Sequence, residues 1–257
     1  MGLDLVAHLR QPRDSTAEEV RRVGREPSYK ILTTFRSMAS GEGGIPPCSL
    51  CGGGESVGLA ATDDERRYFE CSRCGLVYLD PSQHLTVRAE RERYELHEND
   101  SADAEYVRFL RRLADPVIER LPLGARGLDF GCGPAPVLAE QLTSAGFPCV
   151  AYDPFFAPDE TLLATRYDYV TASEVVEHAR SPATMFATLR ELLVPGGLLG
   201  VMTRFRPGDG SFGDWWYRRD PTHVCFYSPA TMRWIGQRHA WRADFPAPDI
   251  TIFTTSL

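Results

Sequence analysis

The sequence contains almost no lysine: of its 28 basic residues one is Lys30 and the rest are arginine. We read this as a bias of genome composition. No apolar run approaches the roughly 20 residues that a membrane-spanning helix needs. Residues 1–13 carry Asp4, His8 and Arg10 without a long apolar stretch, so no secretory signal is expected. The seven cysteines are an odd number, which argues against a fully paired disulfide framework and for a reducing compartment, the cytoplasm. A basic excess is also missing. The formal charge is −7; residues 98–199 carry 8 basic and 15 acidic side chains, and residues 200–257 carry 7 and 5. Such a chain is a poor general nucleic-acid binder. There is no internal repeat. With 43% hydrophobic and 25% charged residues over 257 positions, one α/β domain with an appendage, or two small domains, is expected.

Residues 1–45 read as an extension, partly flexible. Thr16 and Glu19 form a capping box for a short helix over 17–25, and 37–47 reads as a linker. Residues 46–80 form a compact cysteine module, with a strand at Tyr68-Phe69-Glu70 and another over 76–79. From Asp103 to Leu121 the apolar residues recur at a helical period, with Pro116 placed to kink or divide the helix. Strand and helix then alternate: strands at 127–130, 149–153, 167–172 and 198–203, helices at 137–145 and 181–193, the second stopped by Pro195-Gly196-Gly197. A helix over 229–238 and a strand over 250–254 follow. This alternation predicts a Rossmann-like, mostly parallel sheet with helices on both faces.

The module holds Cys48-x-x-Cys51 and, after 19 residues, Cys71-x-x-Cys74. That spacing suits a four-cysteine zinc ribbon, since each tight turn presents two sulfurs at about 2.3 Å from one ion. Iron suits the same tetrahedral sulfur cage. Gly52 and Gly75 follow the pairs, where a positive φ costs little. Four cysteines leave no open coordination position, so the expected metal is structural. Cys132, Cys149 and Cys225 read as small core or strand residues.

Between strand and helix lies Leu128-Asp129-Phe130-Gly131-Cys132-Gly133-Pro134-Ala135-Pro136. Gly131 and Gly133 allow a ligand close to the backbone, and Asp153, at the end of the next strand, is placed for ribose hydroxyls. A dinucleotide site, and hence an oxidoreductase, would look similar, but the turn departs from G-x-G-x-x-G/A at its last position. Four stretches taken together resemble the class I S-adenosylmethionine-dependent methyltransferases over about 100–257: LDFGCGPAP, AYDP at 151–154, YDYVTASEVVEH at 167–178 and LVPGGLLGVMT at 193–203. The preceding cysteine module is similar to that of bacterial members with an N-terminal zinc-binding segment, including some sugar C-methyltransferases.

The resemblance implies a seven-stranded sheet with one reversed strand at its edge. It implies that Asp129 and the adjoining Phe130, Gly131, Cys132 and Gly133 hold the methionine end of the cofactor. Asp153 and Pro154 would meet its ribose, and Ser173 and Glu174 would lie near the methyl donor. His178 matches the family's EH motif, where the histidine more often shapes the loop. Only 13 residues separate Asp153 from Tyr167, so the third strand is expected to be missing or vestigial, with Phe155 and Phe156 lining an open adenine pocket.

Residues 204–227 are long for a turn and carry Trp215, Trp216, Tyr217, Arg204, Arg206, Arg218, Arg219 and His223. Such loops bind substrates or act as lids. Here the arginines suit a carboxylate or phosphate and the aromatics a ring or sugar face; the alternative is that Trp and Tyr cover the sheet edge and the arginines are solvated. His223 is the candidate general base and Asp220 its orienting partner; a structural histidine is the equal alternative. The reading is a cytoplasmic methyltransferase using S-adenosylmethionine and a structural zinc. A 46–80 ribbon precedes an 81–257 catalytic domain, and the acceptor is a small molecule, anionic or sugar-like. The rivals are an RNA base methyltransferase and a non-catalytic cofactor fold with a zinc interaction module. The 46–80 segment, with 3 basic and 6 acidic residues, disfavours the first.

Overall fold

The computed structural model describes residues 44–59, 66–96 and 101–256. The capping box at Thr16, the 17–25 helix and the first part of the 37–47 linker lie outside the described residues. Four strands belong to the cysteine module or adjoin it: β1 (Ser56–Leu59), β2 (Tyr68–Cys71), β3 (Val77–Leu79) and, much later in the chain, β8 (Cys225–Phe226). The second sheet holds β4 (Gly127–Phe130), β5 (Cys149–Tyr152), β6 (Tyr167–Ser173), β7 (Leu193–Met202), β9 (Trp241–Ala247) and β10 (Ile250–Thr255). Its order is β5-β4-β6-β7-β10-β9. The first four are mutually parallel, while β10 runs antiparallel to both β7 and β9.

Two features of that sheet correct the expectation. The reversed strand β10 is not at the edge but one position in, because β9 adds beyond it. Among the described residues the sheet has six strands rather than seven. After β5 the chain makes an isolated bridge, Asp153 to Ala157, and a 3-10 turn at Glu160–Ala164 capped by Asp159, then enters β6 directly. The missing third strand was legible in the length of 153–167. Its consequence is an open edge: Val150 of β5 stands 42% exposed.

Helices cover both faces. On one lie α2 (Ala104–Ile118) and α3 (Val137–Ser144), burying Leu110, Leu113, Val117, Leu138 and Leu142. Asp103 caps α2 by accepting from the Glu105 and Tyr106 N–H groups. Pro116 does not divide this helix. It falls in the last turn, where few ladder bonds remain to be lost. Gly200 lets α2 lie close on β7: a Cβ there would sit 2.7 Å from Val117 Cγ2. On the other face α4 (Pro182–Glu191) and α5 (Pro229–His239) bury Phe186, Leu189, Met232 and Ile235. The strand expected from 198 begins instead at Leu193, and Pro195-Gly196-Gly197 is taken up in a register shift opposite Tyr167–Tyr169.

The cysteine module shares the core of that second face. Its sheet ends on β8, with Val77 opposite Phe226 and Tyr78 opposite Cys225. The Tyr68 hydroxyl donates to the Arg218 carbonyl at 3.3 Å, and Arg206 pairs with Glu70. A short charged helix, α1 (Val87–Tyr94), follows the module and is capped by Thr86. Among the described residues no helix is long and apolar enough to cross a membrane.

Candidate functional site

The parallel strands β4, β5 and β6 end side by side, and an open α/β sheet binds ligands beyond such carboxyl ends. After β4 the backbone turns through Gly131 (φ 79°) and Gly133 (φ 68°). A Cβ on Gly131 would press within 2.6 Å of Val175 Cγ2, so this glycine is required by the loop after β6. Phe130 is buried against Tyr152, with ring centroids 5.4 Å apart. The Cys132 thiol is buried and pushed up to about 12, which suits a packing residue.

Asp129 is 3% exposed. The Thr171 hydroxyl donates to its Oδ1 at 2.8 Å, yet burial, helped by the charge of Asp153, raises its pKa to about 7. A buried carboxyl in this state gains from a cation beside it. Asp153 is also buried. Its Oδ1 accepts from the Phe155 and Phe156 N–H groups and its Oδ2 from Gly133 N–H at 3.0 Å. A carboxylate has about four acceptor positions, so Asp153 keeps room for one further donor. Pro154 is half-buried in the turn. These features fit a ligand carrying an ammonium and a hydroxyl group.

Beyond β6 the chain is strained. Glu174 adopts φ 52°, a left-handed conformation rare for a residue with a side chain. Ser173 Oγ, Glu174 Oε1 and Glu177 Oε2 are buried without a hydrogen-bond partner. The Tyr217 hydroxyl lies between the two acids, 3.0 Å from Glu174 Oε2 and 2.5 Å from Glu177 Oε1. One hydroxyl donates one proton, so the second short contact calls for a protonated carboxyl. Burial and the like charge of Glu177 raise the pKa of Glu174, consistent with a shared proton.

His223 is buried, its Nδ1 donating to the Tyr217 carbonyl at 2.7 Å. The expected Asp220–His223 side-chain bond does not form. Asp220 Oδ1 accepts from Thr222 N–H and Thr222 Oγ1–H, and Oδ2 lies 3.6 Å from Arg93. Burial, opposed and outweighed by His223 and Thr222, leaves Asp220 at about 2. Burial and the neighbouring His178 lower His223 to about 4. The two imidazoles meet edge-on, with centroids 4.8 Å apart, and His178 Nδ1 donates to the Thr222 carbonyl at 3.1 Å.

The 204–227 loop is a packed wall rather than an arginine cradle. Arg218 is fully buried, its guanidinium donating to the Phe212 and Gly213 carbonyls, and Arg206 pairs with Glu70. Trp215 packs on Phe212 and Phe226, while Arg204 lies over Trp216 at 5.2 Å. Two groups escaped the sequence reading. Tyr94 at the end of α1 sits between Phe155 and His178, at 5.6 and 5.3 Å. Tyr106 on α2 lies close enough to Asp129 and Glu174 for their charges to raise its pKa, burial being the larger cause. The α1 segment shows no apolar period, and Tyr106 reads as one more apolar position of its helix.

The four module cysteines converge. Cys48 and Cys74 Sγ are 3.5 Å apart, Cys51 and Cys71 Sγ 3.4 Å, and all four lie within 4.8 Å of one another. Tetrahedral bonds of about 2.3 Å require sulfur separations of about 3.8 Å, so the quartet fits one ion closely. Gly52 and Gly75 both take positive φ, at 70° and 71°. All seven cysteines are free thiols.

Residues 97–242 match the methyltransferase domain family, and the chain belongs to that family. Among solved structures it is similar to the 1,6-didemethyltoxoflavin-N1-methyltransferase of Burkholderia thailandensis, with 13% identity over 79% of this chain and 100% of that one, TM-score 0.49. It is also similar to the magnesium protoporphyrin IX methyltransferase of Synechocystis PCC 6803, with 14% identity over 66% and 95%, TM-score 0.45. No curated protein matches the chain in sequence.

Proposed function

We propose that the protein is a methyltransferase that uses S-adenosylmethionine to methylate a small molecule at the carboxyl ends of β4, β5 and β6. The observation carrying this reading is the buried Asp129, raised by burial to about 7 with no cationic side chain beside it, next to Asp153 and to Ser173 Oγ and Glu174 Oε1, which have no hydrogen-bond partner. In this reading Asp129 pairs with the ammonium of the cofactor, and the Phe130–Gly133 backbone lies along its methionine end. Asp153 uses its spare acceptor position for a ribose hydroxyl, beside Pro154. When bound, the cofactor supplies an electrophilic methyl group. Methyl transfer then asks mainly for in-line placement of the acceptor.

The acceptor would sit under the 204–227 wall, against Tyr217, Glu174 and Trp216. With Arg206 and Arg218 engaged internally, a hydroxylated, sugar-like acceptor suits this acidic and aromatic pole better than an anion. His223 has Nδ1 committed to Tyr217, so Nε2 is the basic nitrogen that can accept a proton from it. Asp220 shapes the turn that positions His223. The chain would then comprise a 1–45 extension, a 46–80 module with a structural zinc, and an 81–257 catalytic domain. Free thiols fit the cytoplasm.

Calorimetry with S-adenosylmethionine tests the proposal. Binding is expected, and Asp153→Ala should weaken it by about 1–3 kcal/mol, the worth of a buried hydrogen bond left unmade. No heat at millimolar cofactor would instead support an inert fold whose cysteine module binds a partner.

A further inference from the structure

Glu177, His178 and His223 each offer a ligand atom, and those atoms lie within 4.8 Å of one another. We propose that they form a second metal site, separate from the cysteines, for a divalent transition ion of the zinc class. Three observations carry this. First, both imidazoles are pre-set. His178 and His223 each donate Nδ1–H to a backbone carbonyl, of Thr222 and of Tyr217. A carbonyl can only accept, so each ring keeps its lone pair on Nε2. Metal-bound histidines characteristically have such an outer partner, which fixes the tautomer and the ring plane.

Second, Glu177 is fully buried, and Oε2 has no partner. Its Oε1 is held by Tyr217 at 2.5 Å, which orients the carboxylate as an outer-shell donor would. A buried, unpaired carboxylate oxygen is costly unless a cation or donor meets it. Third, Glu174 Oε1 is likewise unpartnered on the far side of the Tyr217 hydroxyl. With one proton shared between Glu174 and Glu177, the pair keeps one net negative charge beside the two imidazoles.

Two histidines and one carboxylate form a set used by zinc and by non-haem iron. Bond lengths of about 2.0–2.2 Å place tetrahedral ligand atoms about 3.3–3.6 Å apart, so the side chains must close up to share one ion. Three protein ligands leave a coordination position open, unlike the closed cysteine quartet. An acceptor hydroxyl bound there would become more acidic through a Lewis-acid effect. With an ion present, the His223 lone pair serves as a ligand rather than as a base. Metal binding at these three side chains requires no cofactor, so the metal can be tested alone.

The full-length chain is dialysed against micromolar Zn2+ and its zinc counted, with folding checked by circular dichroism. Two zinc ions per chain are expected in the wild type, and one in His223→Ala and in Glu177→Gln. X-ray absorption at the zinc edge of the wild type should show sulfur together with nitrogen or oxygen neighbours, about two sulfurs per zinc on average. One zinc per folded wild-type chain with an all-sulfur shell overturns the proposal. So does a second zinc that persists in both variants. If neither variant folds, the wild-type spectrum decides.

Discussion

Asp129 is a carboxylic acid that folding has moved to about 7. A carboxyl whose pKa rises on folding binds its proton more tightly in the native state than in the unfolded chain. Its contribution is most favourable below about pH 4 and is lost as pH climbs to about 7. Asp153, Tyr106, Cys132 and Cys149 surround it, and none supplies a positive charge. Asp129→Asn should therefore gain stability relative to wild type between pH 5 and pH 8, by up to about 3 kcal/mol. Urea midpoints at the two pH values measure it; parallel pH dependences would contradict the assignment. Tyr217 is a second residue-scale test. Phenylalanine there removes the proton donor between Glu174 and Glu177, and a loss of about 1–3 kcal/mol is expected. An unchanged unfolding midpoint would show that the hydroxyl contributes nothing.

At the scale of elements, β8 matters more than its two residues suggest. It completes the module's sheet and leads out of the loop that presents His223, so anything that loosens β3 reaches that loop. With the proposed zinc at the quartet, Cys71→Ser should lose that ion and also raise amide exchange across residues 204–227. Hydrogen-exchange mass spectrometry reads both the module and the loop, and an unaffected loop would refute the coupling. This coupling was not legible in the sequence. Cys48 to Cys74 can be read as a metal site because ligand spacing is local, and β4 to α3 because strand and helix periods are local. The pairing of Val77 with Phe226 spans about 150 residues and leaves no pattern in either. β9 was missed because Trp241–Ala247 contains Arg242, Asp244 and Pro246 and lacks a clean alternation. The arginines of 204–227 were read as anion ligands because composition cannot show that Arg218 turns inward to cap its own loop's carbonyls.

For the whole molecule, the site is built from both halves of the chain. The carboxyl ends of β4, β5 and β6 supply the acids, and the wall above them is braced by the cysteine module through Tyr68 and Glu70. Thermal unfolding should accordingly be a single transition, in which removal of the proposed zinc lowers the midpoint of the entire chain. Calorimetry with and without a chelator is the measurement. A separate low-temperature transition of the module, with the main one unmoved, would show that the two fold independently.

The placement of β10 has a consequence in time rather than in space. During synthesis the four thiols leave the ribosome early, but the strand that closes their sheet is made some 150 residues later. The large sheet also waits, since β10 is made after β7 and β9 and must enter between them. Neither sheet can be completed from contacts near in sequence, which favours slow folding and long exposure of unpaired edges. A metal ion captured early by the cysteines would give the growing chain its first fixed point, around which the later strands assemble.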